Sequence, residues 1–230
     1  MNKVAKIIIF MMLLLGVVVG TYYEDIKIGI VDSFPIRYVR VTGTFQYLLK
    51  SDVKKVTGVA VQESFLTVDI VAIRKAVEGL PWVDSATVSR VWPDIVDIHV
   101  VEQSAVAYWG HDELLNNRGE LFKPTTLVGM NELPVLIGPI EGHFRVFDLF
   151  GQVQMNVEKT DLALTTLVIS PHYAVSAVFE NGLKVQLGSE KPIERLSRFI
   201  GVYDRMKSNA NGLMQRVDMR YHNGFSVAWK

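Results

Sequence analysis

The feature that most constrains this chain is an uninterrupted apolar run near its amino terminus, from Ile7 to Gly20. Its Ile, Leu, Phe and Val residues would together favour insertion into a bilayer by about 3 to 6 kcal/mol. Crossing the hydrocarbon core takes roughly 20 residues, a length that the run approaches if Thr21, Tyr22 and Tyr23 lie at the far interface. The sequence therefore predicts a single transmembrane helix over residues 7–23.

The charges on either side of the run predict its orientation. Lys3 and Lys6 precede it and Glu24 and Asp25 follow it, and basic residues tend to stay on the cytoplasmic side of a membrane. We therefore expect residues 1–6 to be a cytoplasmic tail and the bulk of the protein to be exported. A cleaved signal peptide is the alternative, because a basic start and a short apolar stretch fit that description as well. The lack of an Ala-x-Ala cleavage site after the run favours a retained anchor.

Composition limits the function of the exported part. The whole chain has 24 basic and 24 acidic residues, so it offers no basic field for phosphates, and nucleic acid is not an expected partner. It has no cysteine, which excludes disulfides and cysteine-based metal sites. About 200 residues are enough to form a stable apolar core without either.

The segment 34–103 shows a β-α-α-β-β pattern. Alternation predicts a strand over residues 36–41, and Ser51 and Asp69 are the predicted N-caps of two helices. Two strands with a period of two follow, joined by a Pro93-Asp94 turn. We expect Trp92 on the first of them to lie in the core with Arg90 covering it, and functional stacking of these two side chains is the alternative.

The segment 104–230 is richer in strands. Turn signals at Asn116–Gly119 and Asn181-Gly182 predict hairpins. Phenylalanines at a three-residue step predict a helix over residues 144–157, and a longer apolar stripe predicts another from Pro192 to about Lys207. Two last strands are expected around Asn223-Gly224. The predicted fold class is α+β, with a C-terminal domain that is mostly antiparallel β with packed helices.

No residue pattern points to catalysis. The five histidines lack metal-site spacing, and the chain has no nucleophile elbow and no phosphate-binding glycine loop. We therefore predict no catalytic residue, no cofactor, no metal and no small-molecule substrate, and the protein is not expected to be an enzyme. An exported cell-wall hydrolase would need such a constellation.

The last predicted strand has two interpretations. Phe225 and Trp229 are large apolar residues, and such residues most often lie in a core. Together with Tyr221, Asn223 and Gly224 they could instead border a sheet edge that accepts a strand from a partner. The residues alone leave both interpretations open.

Four motifs together resemble the POTRA domain and the C-terminal region of the FtsQ/DivIB family of bacterial cell-division proteins. They are Leu80-Pro81-Trp82-Val83, Val88-Ser89-Arg90-Val91-Trp92-Pro93, Ile98-His99-Val100-Val101-Glu102 and Arg216-Val217-Asp218-Met219-Arg220-Tyr221-His222-Asn223-Gly224. The resemblance extends over nearly the whole chain after the apolar run and is weakest over residues 122–170.

The resemblance implies a non-catalytic scaffold at the division septum, held as a single-pass type II protein in the inner membrane. FtsB and FtsL are the implied partners, and the POTRA domain would contact other division proteins. By resemblance, the partner-binding positions are Tyr221, Asn223, Gly224, Phe225 and Trp229. The implied segments are a tail (1–6), a transmembrane helix (7–23), a linker (24–33), a POTRA domain (34–103) and a β domain (104–230). A POTRA-type factor for outer-membrane protein assembly or secretion is the alternative.

Overall fold

A computed structural model of the chain contains two compact units, Met1–Glu102 and Gln103–Lys230. The described residues are 3–32, 34–58, 64–125, 127, 130, 132–139, 141–209 and 212–230.

The chain begins with a long helix, α1 (Lys3–Asp32). The large apolar side chains between Ile7 and Val19 are 45–69% exposed. No helix formed by the described residues combines the length and apolar character needed to cross a membrane. α1 continues through residues 24–32 of the expected linker, where no proline interrupts the helix before Pro35; the assignment of residues 24–33 as a linker stays a prediction.

The first unit contains a three-stranded sheet in the order β1-β3-β2. β2 and β3 form an antiparallel hairpin, whereas β1 pairs with β3 in parallel. The elements follow the predicted β-α-α-β-β order: β1 (Tyr38–Gly43), α2 (Lys50–Thr57), α3 (Ile70–Glu78), β2 (Val83–Val91) and β3 (Ile95–Glu102). The core of this unit includes Val53, Ile73, Val77, Val96, Ile98 and Val100.

One of the two predicted helix caps in this unit is confirmed. The Asp69 carboxylate accepts hydrogen bonds from the amides of Val71 (2.9 Å) and Ala72 (3.0 Å) at the start of α3. The prediction for Ser51 is wrong, since α2 begins at Lys50 and its cap position is Leu49, two residues earlier, with no capping hydrogen bond from a side chain. The segment before α2 is instead held from β3, where the Glu102 carboxylate accepts hydrogen bonds from the amides of residues 46–48.

Trp92 does not lie in the core, contrary to expectation. β2 ends at Val91, so Trp92 belongs to the turn before β3, where it is 72% exposed. The guanidinium of Arg90 donates to the carbonyl oxygen of Val68 at 2.7 Å.

The second unit contains a nine-stranded mixed sheet in the order β12-β11-β10-β9-β8-β7-β4-β5-β6. Five of the eight strand pairs among the described strands are antiparallel, and β4–β7, β7–β8 and β10–β11 are parallel. The strands are β4 (Ala105–Trp109), β5 (Glu113–Asn116), β6 (Leu121–Phe122), β7 (Val135–Ile137), β8 (Leu164–Ile169), β9 (Val175–Phe179), β10 (Lys184–Gly188), β11 (Met214–Asp218) and β12 (Ser226–Trp229).

Two helices, α4 (His143–Val157) and α5 (Pro192–Asn209), pack against this sheet. On α5 the predicted stripe is confirmed, with Leu196, Phe199 and Tyr203 almost fully buried. On α4 the helix is confirmed, but the strict three-residue step is wrong for Phe144, which is 56% exposed. A helix turns every 3.6 residues, so its buried stripe runs through Val146, Leu149, Phe150, Val153 and Val157.

Candidate partner-binding edge

The last strand of the sheet, β12, has one paired side and one unpaired side in the described structure. It lies antiparallel to β11, with Asp218 opposite Ser226 and Val217 opposite Val227. The amide of Lys230 donates to the carbonyl oxygen of Leu213, on the β11 side, at 2.9 Å. Because successive residues of a strand direct their backbone groups to opposite sides, the amides and carbonyls of Val227 and Trp229 point away from β11.

The two faces of β12 differ. Val227 and Phe225 pack against the core of the unit. The ring of Phe225 meets that of Phe199 on α5 edge to face, at 6.4 Å between centroids. Ser226 and Ala228, on the opposite face, are exposed. One face of the strand is therefore held by α5, and the other is open.

A side chain on α5 holds the turn that leads into β12. The guanidinium of Arg198 donates to the carbonyl oxygens of His222 at 3.1 Å and Tyr221 at 3.4 Å. The turn has no secondary structure of its own, so these hydrogen bonds join it to a rigid helix. We expect Arg198 to fix the position of Tyr221 relative to the strand.

An ion pair lies at the other end of the same turn, where the chain leaves β11. The guanidinium of Arg220 donates to both carboxylate oxygens of Asp218, at 2.9 Å and 2.6 Å. The Arg220 amide also donates to Asp218, at 3.1 Å. The hydrogen bond from the Arg220 side chain is the main cause that holds the pKa of Asp218 below its ordinary value. Because the carboxylate is largely buried, this pair fixes the end of β11 more firmly than a surface ion pair would.

Comparisons with known proteins match both units. Residues 34–103 match the family described as POTRA domain, FtsQ-type, and residues 107–220 match Cell division protein FtsQ/DivIB, C-terminal. The Cell division protein FtsQ of Methylomonas methanica is 32% identical over 223 residues, which cover 96% of this chain and 90% of that relative. The chain belongs to the FtsQ/DivIB family.

Other relatives agree with this assignment. The Cell division protein FtsQ of Shewanella oneidensis is 31% identical over 96% of this chain and 84% of its own length. The protein of the same name from Hahella chejuensis is 32% identical over 85% of this chain and 70% of its own length. Membership in FtsQ/DivIB places the chain among cell division proteins, with a POTRA domain followed by a β-rich domain, an α+β fold.

The five residues that the FtsQ resemblance selects have different environments. Tyr221 is 56% exposed and Trp229 is 41% exposed. Asn223 is exposed and Gly224 is half-buried. Phe225 faces α5 and is half-buried, so it supports the strand rather than offering a free aromatic surface. Their roles as partner-binding residues stay a prediction.

Arg198 and Asp218 were not predicted to shape this edge. Arg198 contacts carbonyl oxygens that lie 23 and 24 residues further along the chain, too far for a local sequence signal. The Asp218-x-Arg220 spacing gave a local signal, since an aspartate can accept hydrogen bonds from the backbone two residues further on.

A shallow groove of about 310 Å³ lies beside this turn. It is lined by Glu190, Lys191, Glu194, Arg195, Arg198, Tyr221 and His222. Within the described ranges, no three His, Cys, Asp or Glu side chains meet in a metal-binding arrangement.

Proposed function

We propose that this FtsQ-family protein is a non-catalytic, membrane-anchored scaffold of the division machinery whose strand β12 captures FtsB. In this proposal FtsB arrives in complex with FtsL, and the assembly links early division proteins to septal peptidoglycan synthesis. The observation that carries the proposal is the unpaired side of β12, with the backbone groups of Val227 and Trp229 directed outward.

Strand addition suits this edge for a physical reason. An incoming strand satisfies the outward amides and carbonyls, and these main-chain hydrogen bonds supply affinity. Side chains at the two ends of the edge supply selectivity, and here they are the exposed rings of Tyr221 and Trp229. Tyrosine and tryptophan are frequent anchors at protein interfaces. We therefore assign Tyr221, Asn223, Gly224, Phe225 and Trp229 to the binding region, with Phe225 as the support beneath it.

We further propose that residues 7–23 anchor the protein in the inner membrane, with residues 1–6 in the cytoplasm. The support is the apolar run with basic residues before it, together with the exposure of its side chains in α1. The proposed anchor is the amino-terminal part of α1, a helix of 30 residues and about 45 Å. Residues 24–33 then connect the anchor to the POTRA domain.

The proposed division of the exported part is a POTRA domain over residues 34–103 and a β domain over residues 104–230. The POTRA domain has two edge strands, β1 and β2, and we propose that it contacts other division proteins. Both edges are candidates, because each leaves one side of a strand unpaired in the described structure.

The test measures binding of the FtsB–FtsL complex from the same organism to the full-length chain in detergent micelles. Replacing Tyr221 or Trp229 with alanine should weaken binding by about 2 kcal/mol each, near 30-fold, as expected for aromatic anchors. Tyr38→Ala is the matched control, since Tyr38 is 63% exposed on β1 of the other unit. Unchanged affinity in both variants, with the native protein binding, would remove β12 as the proposed site.

A further inference from the structure

Two cations lie side by side on the open face of the nine-stranded sheet. Lys184 on β10 is in register with Arg216 on β11, and Arg216 is in register with Ala228 on β12. Their neighbours Val185 and Val217 are buried in the core, and side chains alternate between faces along a strand. Lys184, Arg216 and Ala228 therefore form one exposed row on the face opposite the core.

This arrangement has a cost within the isolated domain. Like charges directly opposite each other destabilise a strand pair by a few tenths of a kcal/mol or more. Among the described residues, no ion pair involves Lys184 or Arg216. Asp218 lies two residues from Arg216 on the same strand, but Arg220 binds both of its oxygens. The two cations are therefore incompletely neutralised, and they stand next to the edge assigned above to a partner.

We propose that the strand added to β12 carries an acidic residue opposite Ala228. Arg216 binds this acidic side chain, and the positive charge of Lys184 adds to the attraction. This inference rests on the proposed function and names the chemistry of its partner. An acidic side chain at this position neutralises the row where it meets the unpaired edge.

The geometry of a sheet makes this contact reachable. Neighbouring strands are about 5 Å apart, so the incoming strand lies about 10 Å from β11. Ala228 has no atom beyond its Cβ between them. A long arginine side chain and a glutamate can therefore meet over the methyl group of Ala228. Arginine suits this role because its planar guanidinium pairs with a carboxylate through two parallel hydrogen bonds.

The same alternation predicts the rest of the incoming strand. Residues on either side of the acidic one face the side of the sheet where α5, Phe225 and Val227 lie. Apolar residues are expected there. The partner segment is thus an amphipathic strand that is acidic on one face and apolar on the other.

The experiment compares Arg216→Glu with Arg205→Glu in the full-length chain, using the FtsB–FtsL complex as the probe. Arg205 is an exposed arginine on α5, so this control makes the same charge change on the same unit. At about 0.05 M NaCl we expect Arg216→Glu to weaken binding about tenfold or more, and Arg205→Glu to leave it unchanged. At about 0.3 M NaCl the difference should shrink, because salt screens exposed charges. Arg216→Gln should have an intermediate effect, and melting temperatures verify folding.

A charge exchange locates the acidic residue. Each acidic residue of the FtsB segment that binds β12 is replaced by lysine in turn, and one of these variants should restore affinity for Arg216→Glu. No restoration by any of them would overturn the proposal. The proposal would also be overturned if Arg216→Glu weakened binding of FtsB–FtsL only in nanodiscs that contain anionic lipid, because the two cations would then bind lipid headgroups.

Different results would contradict the proposed function and the proposed acidic contact. If the native chain does not bind FtsB–FtsL, the proposed function itself is wrong. If Val227→Pro abolishes binding while Arg216→Glu does not change it, strand addition stands and the acidic contact is wrong.

Discussion

The two edges of the nine-stranded sheet differ in how they end. At one edge β6 has only two residues, Leu121 and Phe122, and Pro124 follows closely. At the other edge β12 has four residues and a row of outward backbone groups. Natural sheets protect their edges with short strands and prolines, so β6 is protected and β12 is not. The open edge is therefore a specific property of β12 rather than of the sheet as a whole.

A network of hydrogen bonds holds the β5–β6 turn at the protected edge of the sheet, called here the closed edge. Asn116 at the end of β5 is almost fully buried. Its side chain accepts from the amides of Arg118 and Glu120, both at 2.9 Å, and donates to Gln103 and Glu120. The hydrogen bond from the Arg118 side chain is the main cause that lowers the pKa of Glu120. The closed edge is therefore held by its own turn, whereas the open edge is held from α5 by Arg198.

The largest effect is expected from removing one backbone donor at each edge. Val227→Pro removes an outward amide of β12 and should weaken binding of FtsB–FtsL at least about 100-fold, because proline cannot donate to an added strand. Val227→Ala keeps the amide and should retain most of the affinity.

Leu121→Pro makes the equivalent change at β6, where the amide of Asn116 bonds to Glu120 and the amide of Leu121 points outward by alternation. Binding of FtsB–FtsL to this variant should equal that of the native chain. Equal losses at β6 and β12 would show that the two edges do not differ in function.

The next largest effect concerns the network at the closed edge. Asn116→Ala should lower the free energy of unfolding by about 2 to 3 kcal/mol, because several hydrogen-bonding groups lose a buried partner. Asn117→Ala, at the exposed neighbouring position, should change it by less than about 0.5 kcal/mol. Urea unfolding measures both variants, and the affinity for FtsB–FtsL should be unchanged in each. A similar stability of the two variants would mean that the network does not hold this edge.

The smallest effect concerns the ion pair beside the open edge. Asp218→Asn should destabilise the fold by about 1 to 2 kcal/mol at pH 7, through loss of charge-assisted hydrogen bonds to Arg220. The pKa of Asp218 is lowered in the folded state, so its stabilisation is fully present above the unfolded pKa of about 3.9 and is lost as the pH falls through the folded pKa.

Urea unfolding of the native chain and of Asp218→Asn at several pH values checks this prediction. The difference between the two stabilities should begin to shrink below about pH 4 and should be lost once the pH is below the folded pKa of Asp218. A difference that stays constant down to pH 2 would assign the effect to something other than the charge of Asp218.

Local sequence signals predicted the elements that depend on local chemistry. The apolar stripe of α5, the Asp69 cap and the Asn181-Gly182 turn each result from residues close together in the chain, and the structure contains all three. The Asn223-Gly224 signal indicated a turn between two strands but not the length of that turn. Residues 219–225 separate β11 from β12, because Asp218, Arg220 and Arg198 hold a longer turn in place.

Pairings between distant segments could not be predicted from such signals. β7 has three residues, too few to show a period, and it lies between β4 and β8 in parallel with both. The unpaired side of β12 likewise depends on the order of all nine strands. Family resemblance therefore led to the candidate residues, but local signals did not predict the contacts of Arg198 with the turn or the position of Arg216 on the open face of the sheet.

The parallel pairing of β10 with β11 has a consequence for the timing of assembly. Parallel neighbours need a long crossover, and here it contains α5 (Pro192–Asn209), so the pairing of β11 with β10 joins segments that are distant in sequence. Pairings that are distant in sequence form slowly. We therefore expect β12 to take its place in the sheet last, so that a newly made molecule would offer the proposed binding edge only once the rest of the unit is complete.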